Sequence, residues 1–292
     1  MGIFYPAEFF NIAVLKVTIL AMSSIAVIAV GMTVLLVCGG FDLSVGSVGT
    51  FAGIVAALAM KSGAPWFIAM AAAVCCGMLV GLGNGLMIAK LRINPFITTL
   101  GMMIFIRGFA TILAGGNNIM IASSYYKWVG QASLAGVQIP IWVCLFFVIV
   151  GDFLLRKSRY FRQSYYIGGN ENAAVLSGIP VAKIKILNYM LAGALAAIAG
   201  ILLSARLGNG SLTAGLNMEF KAITGAIIGG CALSGGKGTV LGSFFGAMLM
   251  ASIDSAINIM PVDSYWQEFV TGFVLIIAII VDSIGKKEYL NR

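Results

Sequence analysis

The chain is a succession of long apolar runs separated by short polar intervals. The runs that we interpret as membrane-spanning helices lie at about 12–38, 43–60, 66–89, 95–114, 140–155, 186–207, 221–234, 239–258 and 267–282. A helix crosses the roughly 30 Å hydrocarbon core of a bilayer with about 20 apolar residues, and shorter runs suffice when long cationic side chains reach the interface. The pattern predicts an all-α integral membrane protein with about nine transmembrane helices, in a single domain over residues 1–292.

Composition supports a membrane protein and excludes a soluble one. Hydrophobic residues make up 60% of the 292 residues and charged residues 10%, whereas soluble chains are about a quarter charged. The mean hydropathy is +1.02, and the 37 glycines are typical of membrane helices, whose backbones approach closely at small residues. The net charge of +8 arises mainly from short intervals between apolar runs, so it indicates orientation in the membrane and not a nucleic-acid partner.

The longest polar interval lies between the fifth and sixth runs, at residues 156–185, and divides the chain into two halves. It carries six cations and one acid, Glu171. Loops rich in Lys and Arg stay in the cytoplasm. With this loop inside, alternating spans place twelve of the 18 Lys and Arg residues inside. We therefore predict a cytoplasmic loop at 156–185, a cytoplasmic C-terminus and, with nine spans, an external N-terminus.

A short helix is predicted within this interval. Asn170 can cap its N-terminus, Glu171 favours the first turn, and Gly178 followed by Pro180 ends it. An apolar face would be formed by Ala173, Ala174 and Leu176. The segment is either a docking helix for a soluble partner or a solvated loop with an amphipathic turn, and both interpretations remain open from the residues alone.

The sequence lacks motifs for nucleotide binding, metal binding and catalysis. The segment GGKGT at 235–239 is not a phosphate-binding loop, because Lys237 is followed by glycine and Cys231 stands where that motif needs its first glycine. The chain has no histidine, and its five cysteines lie in apolar runs without ligand spacing. If the chain transports a solute, the energy must come from a separate ATPase or from an ion gradient.

Charged and polar side chains inside apolar runs are costly in a membrane and are candidates for function. Arg107 lies deep in its span, where it either pairs structurally or lines a pathway. Arg206 and Glu219 flank a glycine-rich turn that we predict to be external, and they form either a functional pair or an ordinary surface ion pair. Asp42 either caps a helix that begins at Leu43, or acts as a charged gate or a partner of Arg107. The candidate pathway or gate residues are Asp42, Ser44, Asn84, Arg107, Arg206, Glu219 and Asn258.

Two short segments match each other. GGFDLSVG at 39–46 and GGCALSGG at 229–236 share Gly, Gly, Leu, Ser and Gly at the same offsets. Either the two regions belong to a parallel repeat, as in many transporters, or the match is a coincidence between glycine-rich turns.

Four segments resemble the membrane permeases of ABC importers, and in particular the ribose-type sugar permeases of bacteria. They are IGGNENAAVLSGI at 167–179, GGFDLSVGSVGTFAG at 39–53, INPFITTLGMMIFIRG at 93–108 and ARLGNGSLTAGLNMEFKAITGAIIGGCALSGGKGTVLG at 205–242. The resemblance covers nearly the whole chain. It implies a cytoplasmic coupling helix at 168–178 that contacts an ATPase through Gly168, Gly169, Asn170, Glu171, Ala173, Ala174, Leu176 and Gly178.

The resemblance also implies the other components of the system. Two permease subunits, identical or paralogous, would form the pathway across the bacterial inner (plasma) membrane. A separate ATPase would use ATP and Mg, and a periplasmic or extracellular binding protein would deliver the solute. This chain would bind no cofactor or metal and would have no catalytic residue. The family usually has ten spans, with an extra helix before the segment that matches residues 6–38. The expected solute is a monosaccharide, although branches for nucleosides and sugar-derived signals share this architecture.

Two other functions remain as rivals. A secondary carrier driven by H⁺ or Na⁺ predicts acidic relays in the middle of spans, whereas most acids here lie near span ends. An integral membrane enzyme needs a cluster of His, Cys or carboxylate groups, which the sequence does not show.

Overall fold

The computed structural model describes residues 11–260, 262–263 and 265–290, and from residue 285 onwards only the backbone. The helices are α1 (Ile12–Val37), α2 (Val45–Lys61), α3 (Trp66–Ala89), α4 (Pro95–Ala114), α5 (Ser124–Gln131), α6 (Ile139–Lys157), α7 (Arg159–Gly169), α8 (Glu171–Leu176), α9 (Val181–Leu207), α10 (Met218–Ile228), α11 (Val240–Ile259) and α12 (Tyr265–Leu290). The strands are β1 (Ile119–Met120), β2 (Ser133–Leu134), β3 (Val137–Gln138) and β4 (Asn209–Gly210). They form two antiparallel pairs, β1 with β4 and β2 with β3.

Each predicted apolar run corresponds to a helix, but not every helix can cross a membrane alone. Within the described residues, seven helices are long and apolar enough to do so: α1, α3, α4, α6, α9, α11 and the Tyr265–Ile284 part of α12. Helix α2 has 17 residues and α10 has 11. At 1.5 Å per residue α10 is only about 16 Å long, roughly half of a hydrocarbon core. The all-α membrane fold is therefore confirmed, while nine complete spans are not.

Helix α1 forms the centre of the bundle. Of its most apolar 18-residue window, 89% is buried within the chain. Helix α9 packs along α1, α2 and α3, while α6, α10 and α11 cover the remaining sides of α1. Helix α12 contacts chiefly α10, and only 11% of its most apolar 18-residue stretch is buried. The outer helices therefore present apolar surface to lipid or to another chain.

Glycines allow the central helices to pack with their backbones in contact. A Cβ at Gly77 of α3 would overlap the backbone of Gly193 in α9, and one at Gly200 would overlap the backbone of Gly49 in α2. Such close approach is the means by which membrane helices gain packing contacts without a hydrophobic drive. The high glycine content noted in the sequence therefore has a structural use.

The segment between α9 and α10 is not the external turn that the sequence predicts. Gly210 lies against Gly53 and Ala57 of α2, and Gly215 lies against Gly46, about two turns closer to the start of α2. The backbone N–H of Gly215 donates to Oγ1 of Thr50 (3.2 Å). The chain thus descends along α2 before α10 begins. Because of this descent, the short α10 does not have to cross the membrane alone.

The polar interval at 156–185 is more helical than the sequence predicts. Besides the expected short helix α8, it contains the 11-residue helix α7, and α9 begins at Val181 instead of about residue 186. Pro180 occupies the N-cap position of α9, where its missing N–H costs no helical hydrogen bond. The C-terminal cations in the orientation prediction, Lys286, Lys287 and Arg292, lie outside the described side chains.

Candidate functional site

Helix α8 has the local structure that its sequence predicts. Oδ1 of Asn170 accepts a hydrogen bond from the backbone N–H of Ala173 (3.0 Å), as an N-cap should. Glu171 lies in the first turn and pairs with Nζ of Lys185 in α9 (2.7 Å). Gly178 has a φ of +77°, the left-handed conformation that commonly follows a helix end. These bonds fix α8 against the beginning of α9.

The predicted apolar face of α8 does not form one surface. Ala174 is 3% exposed and packs in a cluster with Cys38 and Val181, whereas Leu176 is 90% exposed. Ala173 is also exposed. Successive helical residues are about 100° apart, so Ala173 and Leu176 share one side while Ala174 points inward. The prediction that all three face a partner is wrong for Ala174.

Tyrosine and cysteine side chains attach this region to the transmembrane bundle. Oη of Tyr160 in α7 donates to the carbonyl of Ile184 (3.2 Å). Burial raises the pKa of Tyr160 to about 12. Cys38, at the C-terminal end of α1, lies in the cluster beneath Ala174 and is 5% exposed. Its thiol is therefore shielded from reagents in water.

The α7–α8 junction packs directly against the C-terminal end of α1 and the loop before α11. A Cβ at Gly168 would overlap the carbonyl oxygen of Val37 and the amide nitrogen of Gly236. The N–H of Gly236 donates to the carbonyl of Val37 (3.0 Å). Gly39 and Gly235 complete this contact, which we call the glycine junction (Gly39, Gly168, Gly235 and Gly236). Its neighbour Gly169 is exposed, and a Cβ added there would meet nothing within 4 Å.

The glycine junction also brings together the two matching segments of the sequence. GGFDLSVG follows α1 and GGCALSGG follows α10. They meet at the same surface of Gly168. The contact shows that the two segments are neighbours, and an internal repeat remains a prediction.

Asp42 belongs to a buried polar cluster near the start of α2. Its Oδ1 accepts from the N–H (2.7 Å) and the hydroxyl (2.6 Å) of Ser44, and its Oδ2 accepts from Nδ2 of Asn84 (3.1 Å). The side chain of Asn84 also donates to Oγ of Ser44 (3.0 Å). Helix α2 begins at Val45 and not at Leu43, but Asp42 does accept a backbone N–H at the start of the helix, as a cap would, whereas Ser44 at the N-cap position makes no side-chain cap bond. Asp42 thus fixes the residue that precedes the helix.

Arg107 is not a partner of Asp42. Its Nη2 lies 3.6 Å from Oε1 of Glu219, which is 1% exposed at the start of α10. Among the described residues, Oε2 of Glu219 and Nη2 of Arg107 have no other hydrogen-bond partner. A buried ion pair is costly unless hydrogen bonds complete it, and this one joins a guanidinium on α4 that is 35% exposed to a carboxylate on α10 that is 1% exposed.

The predicted pair of Arg206 and Glu219 is wrong. Glu219 lies beside Gly46, because the segment before α10 descends along α2. Arg206 stays in the last turn of α9, where its carbonyl accepts from Gln131 (3.0 Å). Arg206 has no ion pair among the described side chains.

The other candidates separate into two places. Ser44 and Asn84 lie in the Asp42 cluster, whereas Asn258 is exposed near the end of α11 and accepts from Nε2 of Gln267 (2.7 Å). Sequence reasoning missed the pair of Lys221 and Asp254, whose Nζ–Oδ2 distance is 2.6 Å. One signal in the sequence could have revealed this pair. Asp254 is an acid inside the predicted span 239–258, and Lys221 begins the neighbouring antiparallel span at a similar depth.

Metal ligands do not cluster in the described part of the chain, where no group of three or more His, Cys, Asp or Glu residues is placed to hold an ion. The expectation that this chain binds no cofactor remains a prediction.

Known proteins resemble this chain along almost its full length. Residues 15–279 match a family model described as branched-chain amino acid transport system / permease component. The ribose import permease protein RbsC of Escherichia coli K12 is 37% identical over 262 residues, which are 88% of this chain and 82% of that protein. RbsC of Bacillus subtilis strain 168 is 37% identical, over 87% of this chain and 80% of that protein.

An arabinose protein and one solved structure extend the comparison. The L-arabinose transport system permease protein AraH of Escherichia coli K12 is 36% identical, over 98% of this chain and 87% of that protein. A chain in the structure of PsaBC from Streptococcus pneumoniae in complex with Fab superimposes with a TM-score of 0.50 at 15% identity. It is matched over 97% of this chain and 94% of that chain, and this likeness concerns the fold alone.

Proposed function

The chain belongs to the permease family of bacterial ABC importers, and from this premise we propose that it carries a monosaccharide across the inner membrane. Relatives that share 36–37% of its residues are named for ribose and for L-arabinose. The description of the family model names a different class of solute, branched-chain amino acids. The sugar assignment therefore follows the named relatives, with a nucleoside or sugar-derived signal as the alternative solute.

The proposed importer contains at least three kinds of subunit. A separate ATPase uses ATP and Mg, an external binding protein delivers the sugar, and a second permease subunit, identical or paralogous, completes the pathway. The largely unburied α12 leaves apolar surface on which a second permease subunit could pack in place of lipid. This chain supplies the passage and performs no covalent chemistry.

The exposed side of α8 is the observation that carries the proposed coupling. Leu176 is 90% exposed and Val175 is 57% exposed, although the opposite side of this helix is packed and hydrogen-bonded. A cleft of about 1050 Å³ lies beside them and is also lined by Arg92 and Lys183. Exposed apolar side chains on a rigid support are typical of a surface that enters a partner's groove. We assign this surface to the ATPase.

The mechanism follows from the contacts of α8. Closure of the ATPase on ATP displaces α8, and the glycine junction passes this displacement to the inner end of α1 and to the loop before α11. Rearrangement of packed helices then exchanges access between the two sides of the membrane.

Substitution of Leu176 tests the docking role. Leu176→Asp places a charge on the proposed contact, so we expect the permease to insert normally but to lose co-purification of the ATPase and sugar uptake. Leu134→Asp is the matched control, because Leu134 is 65% exposed on β2, away from α8. Unchanged ATPase binding by the Leu176 variant would exclude α8 as the docking element.

The energy source separates this proposal from an ion-driven carrier. The complete importer in proteoliposomes should accumulate sugar when ATP is supplied to the ATPase and no ion gradient is present. Uptake that requires a gradient and ignores ATP would support the secondary carrier.

A further inference from the structure

A cavity of about 470 Å³ lies between α10 and α12. Asn217, Phe220 and Lys221 line one side, and Glu268 and Thr271 line the other. Pockets for small molecules are usually between roughly 300 and 1,000 Å³. The cavity is therefore large enough for one small solute.

The lining of the cavity combines the apolar side chains Leu216, Phe220 and Leu275 with polar ones that are joined by hydrogen bonds. Nδ2 of Asn217 donates to Oε1 of Glu268 (3.0 Å), which connects the two helices across the cavity. Nζ of Lys221 is held by Asp254 of α11 (2.6 Å). Ionisable side chains at membrane depth face a bundle interior or a water-filled space, because hydrocarbon cannot solvate them.

The distribution of charge indicates which class of solute fits. The ammonium of Lys221 is occupied by Asp254, and Glu268 has no cationic partner among the described side chains. An anionic solute or the carboxylate of an amino acid would meet Glu268 without a free cation to bind. A neutral polyol suits the lining better, since its hydroxyls donate to the carboxylate and its C–H groups can pack on Phe220.

The cavity lies on the side where the proposed binding protein would release its sugar. Asp254 is five residues before the end of α11, a distance of about 7.5 Å along the helix. The hydrogen bond between Gln267 and Asn258 (2.7 Å) lies at the rim. In the proposed orientation, this end of α11 is external.

We propose that the cavity between α10 and α12 is the external monosaccharide-binding site of the permease, in which Glu268, Asn217 and Thr271 bind sugar hydroxyls. The proposal rests on the proposed function and adds the residues that recognise the solute. It is distinct from the Arg107–Glu219 pair, neither of whose members lines the cavity.

Conservative substitutions in the cavity provide the first test. We expect Glu268→Gln and Thr271→Val each to lower ribose or arabinose uptake about tenfold, the effect of losing roughly one hydrogen bond to the solute. ATPase stimulation by the loaded binding protein should persist, which shows that the importer is assembled. Asp263→Asn is the matched control, because Asp263 is an exposed acid before α12 that does not line the cavity.

The outcomes of this test separate the site from the function. Normal uptake in both cavity variants would overturn the site while leaving the sugar importer intact. A wild-type importer that moves no monosaccharide would overturn the proposed function itself, and the site with it.

A single cysteine provides a direct test of occupancy. Gly272 lines the cavity, and an added Cβ there meets nothing within 4 Å, so Gly272→Cys should fold normally. In a background without the five native cysteines, a membrane-impermeant thiol reagent should label it from outside. We expect D-ribose or L-arabinose to slow the labelling several-fold and L-leucine to have no effect.

Each of the other results would overturn the proposal. Protection by leucine alone would identify an amino-acid site, and no protection by either sugar would exclude a polyol site. A disulfide between two copies through this cysteine would show that a second permease fills the gap. Failure of the aqueous reagent to react with this cysteine would show that lipid fills the gap between α10 and α12.

Discussion

At the scale of single residues, the Asp42 cluster shows how a buried carboxylate is stabilised without a cation. Its two oxygens accept three hydrogen bonds from Ser44 and Asn84. Oδ1 of Asn84 is buried and accepts no hydrogen bond from the part of the chain that the structure describes. The cluster therefore needs one acid, which only accepts hydrogen bonds, and one amide, which also donates them.

Exchange of the acid and the amide tests this arrangement. Asn84→Asp places a second carboxylate beside Asp42, and we expect a clearly lower melting temperature because two buried acids repel. The double variant Asp42→Asn/Asn84→Asp restores one acid and one amide and should recover most of the loss. Melting of the purified permease in detergent measures both. A double variant that is no more stable than the single would contradict the pairing.

The depth of Arg107 in the membrane can be predicted from the sequence, whereas its partner cannot. Its depth follows from its position in an apolar run, and depth alone implies a partner. Glu219 could not be identified, because a glycine-rich segment is interpreted locally as a turn. Its descent along α2 depends on backbone contact between Gly46 and Gly215, which are far apart in the sequence.

At the scale of elements, α8 shows which features of a short helix depend on its own residues and which depend on the helices around it. The cap at Asn170 and the end at Gly178 were predictable, since each depends on residues within one turn. The inward face was not, because the orientation of a six-residue helix is set by what it packs against. Here that surface comes from α1, α7 and α9, through residues such as Cys38 and Ile167.

Two adjacent alanines in α8 should therefore respond differently to the same substitution. Ala174→Trp forces a large side chain into the cluster around Cys38, so we expect a lower melting temperature and a newly reactive Cys38. Ala173→Trp projects outward and should leave stability unchanged while blocking the ATPase. Thermal melting and ATPase co-purification distinguish the two. Equal destabilisation by both variants would contradict the orientation of α8.

At the scale of the whole molecule, orientation in the membrane decides which surface meets which partner. Helix α8 and the cavity between α10 and α12 serve the proposed roles only if they face opposite compartments. The distribution of cations along the sequence supports α8 inside.

A pair of serine-to-cysteine variants tests this orientation. Ser177 and Ser124 are both exposed, one after α8 and the other at the start of α5. In a background without native cysteines, an impermeant thiol reagent applied to intact cells should label Ser124→Cys and spare Ser177→Cys. Permeabilised cells should label both, which shows that each thiol is reactive. Labelling of position 177 in intact cells would reverse the assignment.

The glycine junction has a mechanical consequence. Side chains change rotamer and thereby absorb small displacements, but in this junction backbone atoms contact one another with no side chains between them. A small displacement of α8 is therefore passed directly to the backbone at the end of α1. Linkage is reciprocal, so a sugar that favours one arrangement of the bundle also changes the preferred position of α8 through the glycine junction. The ATPase would then sense, through a few glycines, whether a sugar is bound on the far side of the membrane.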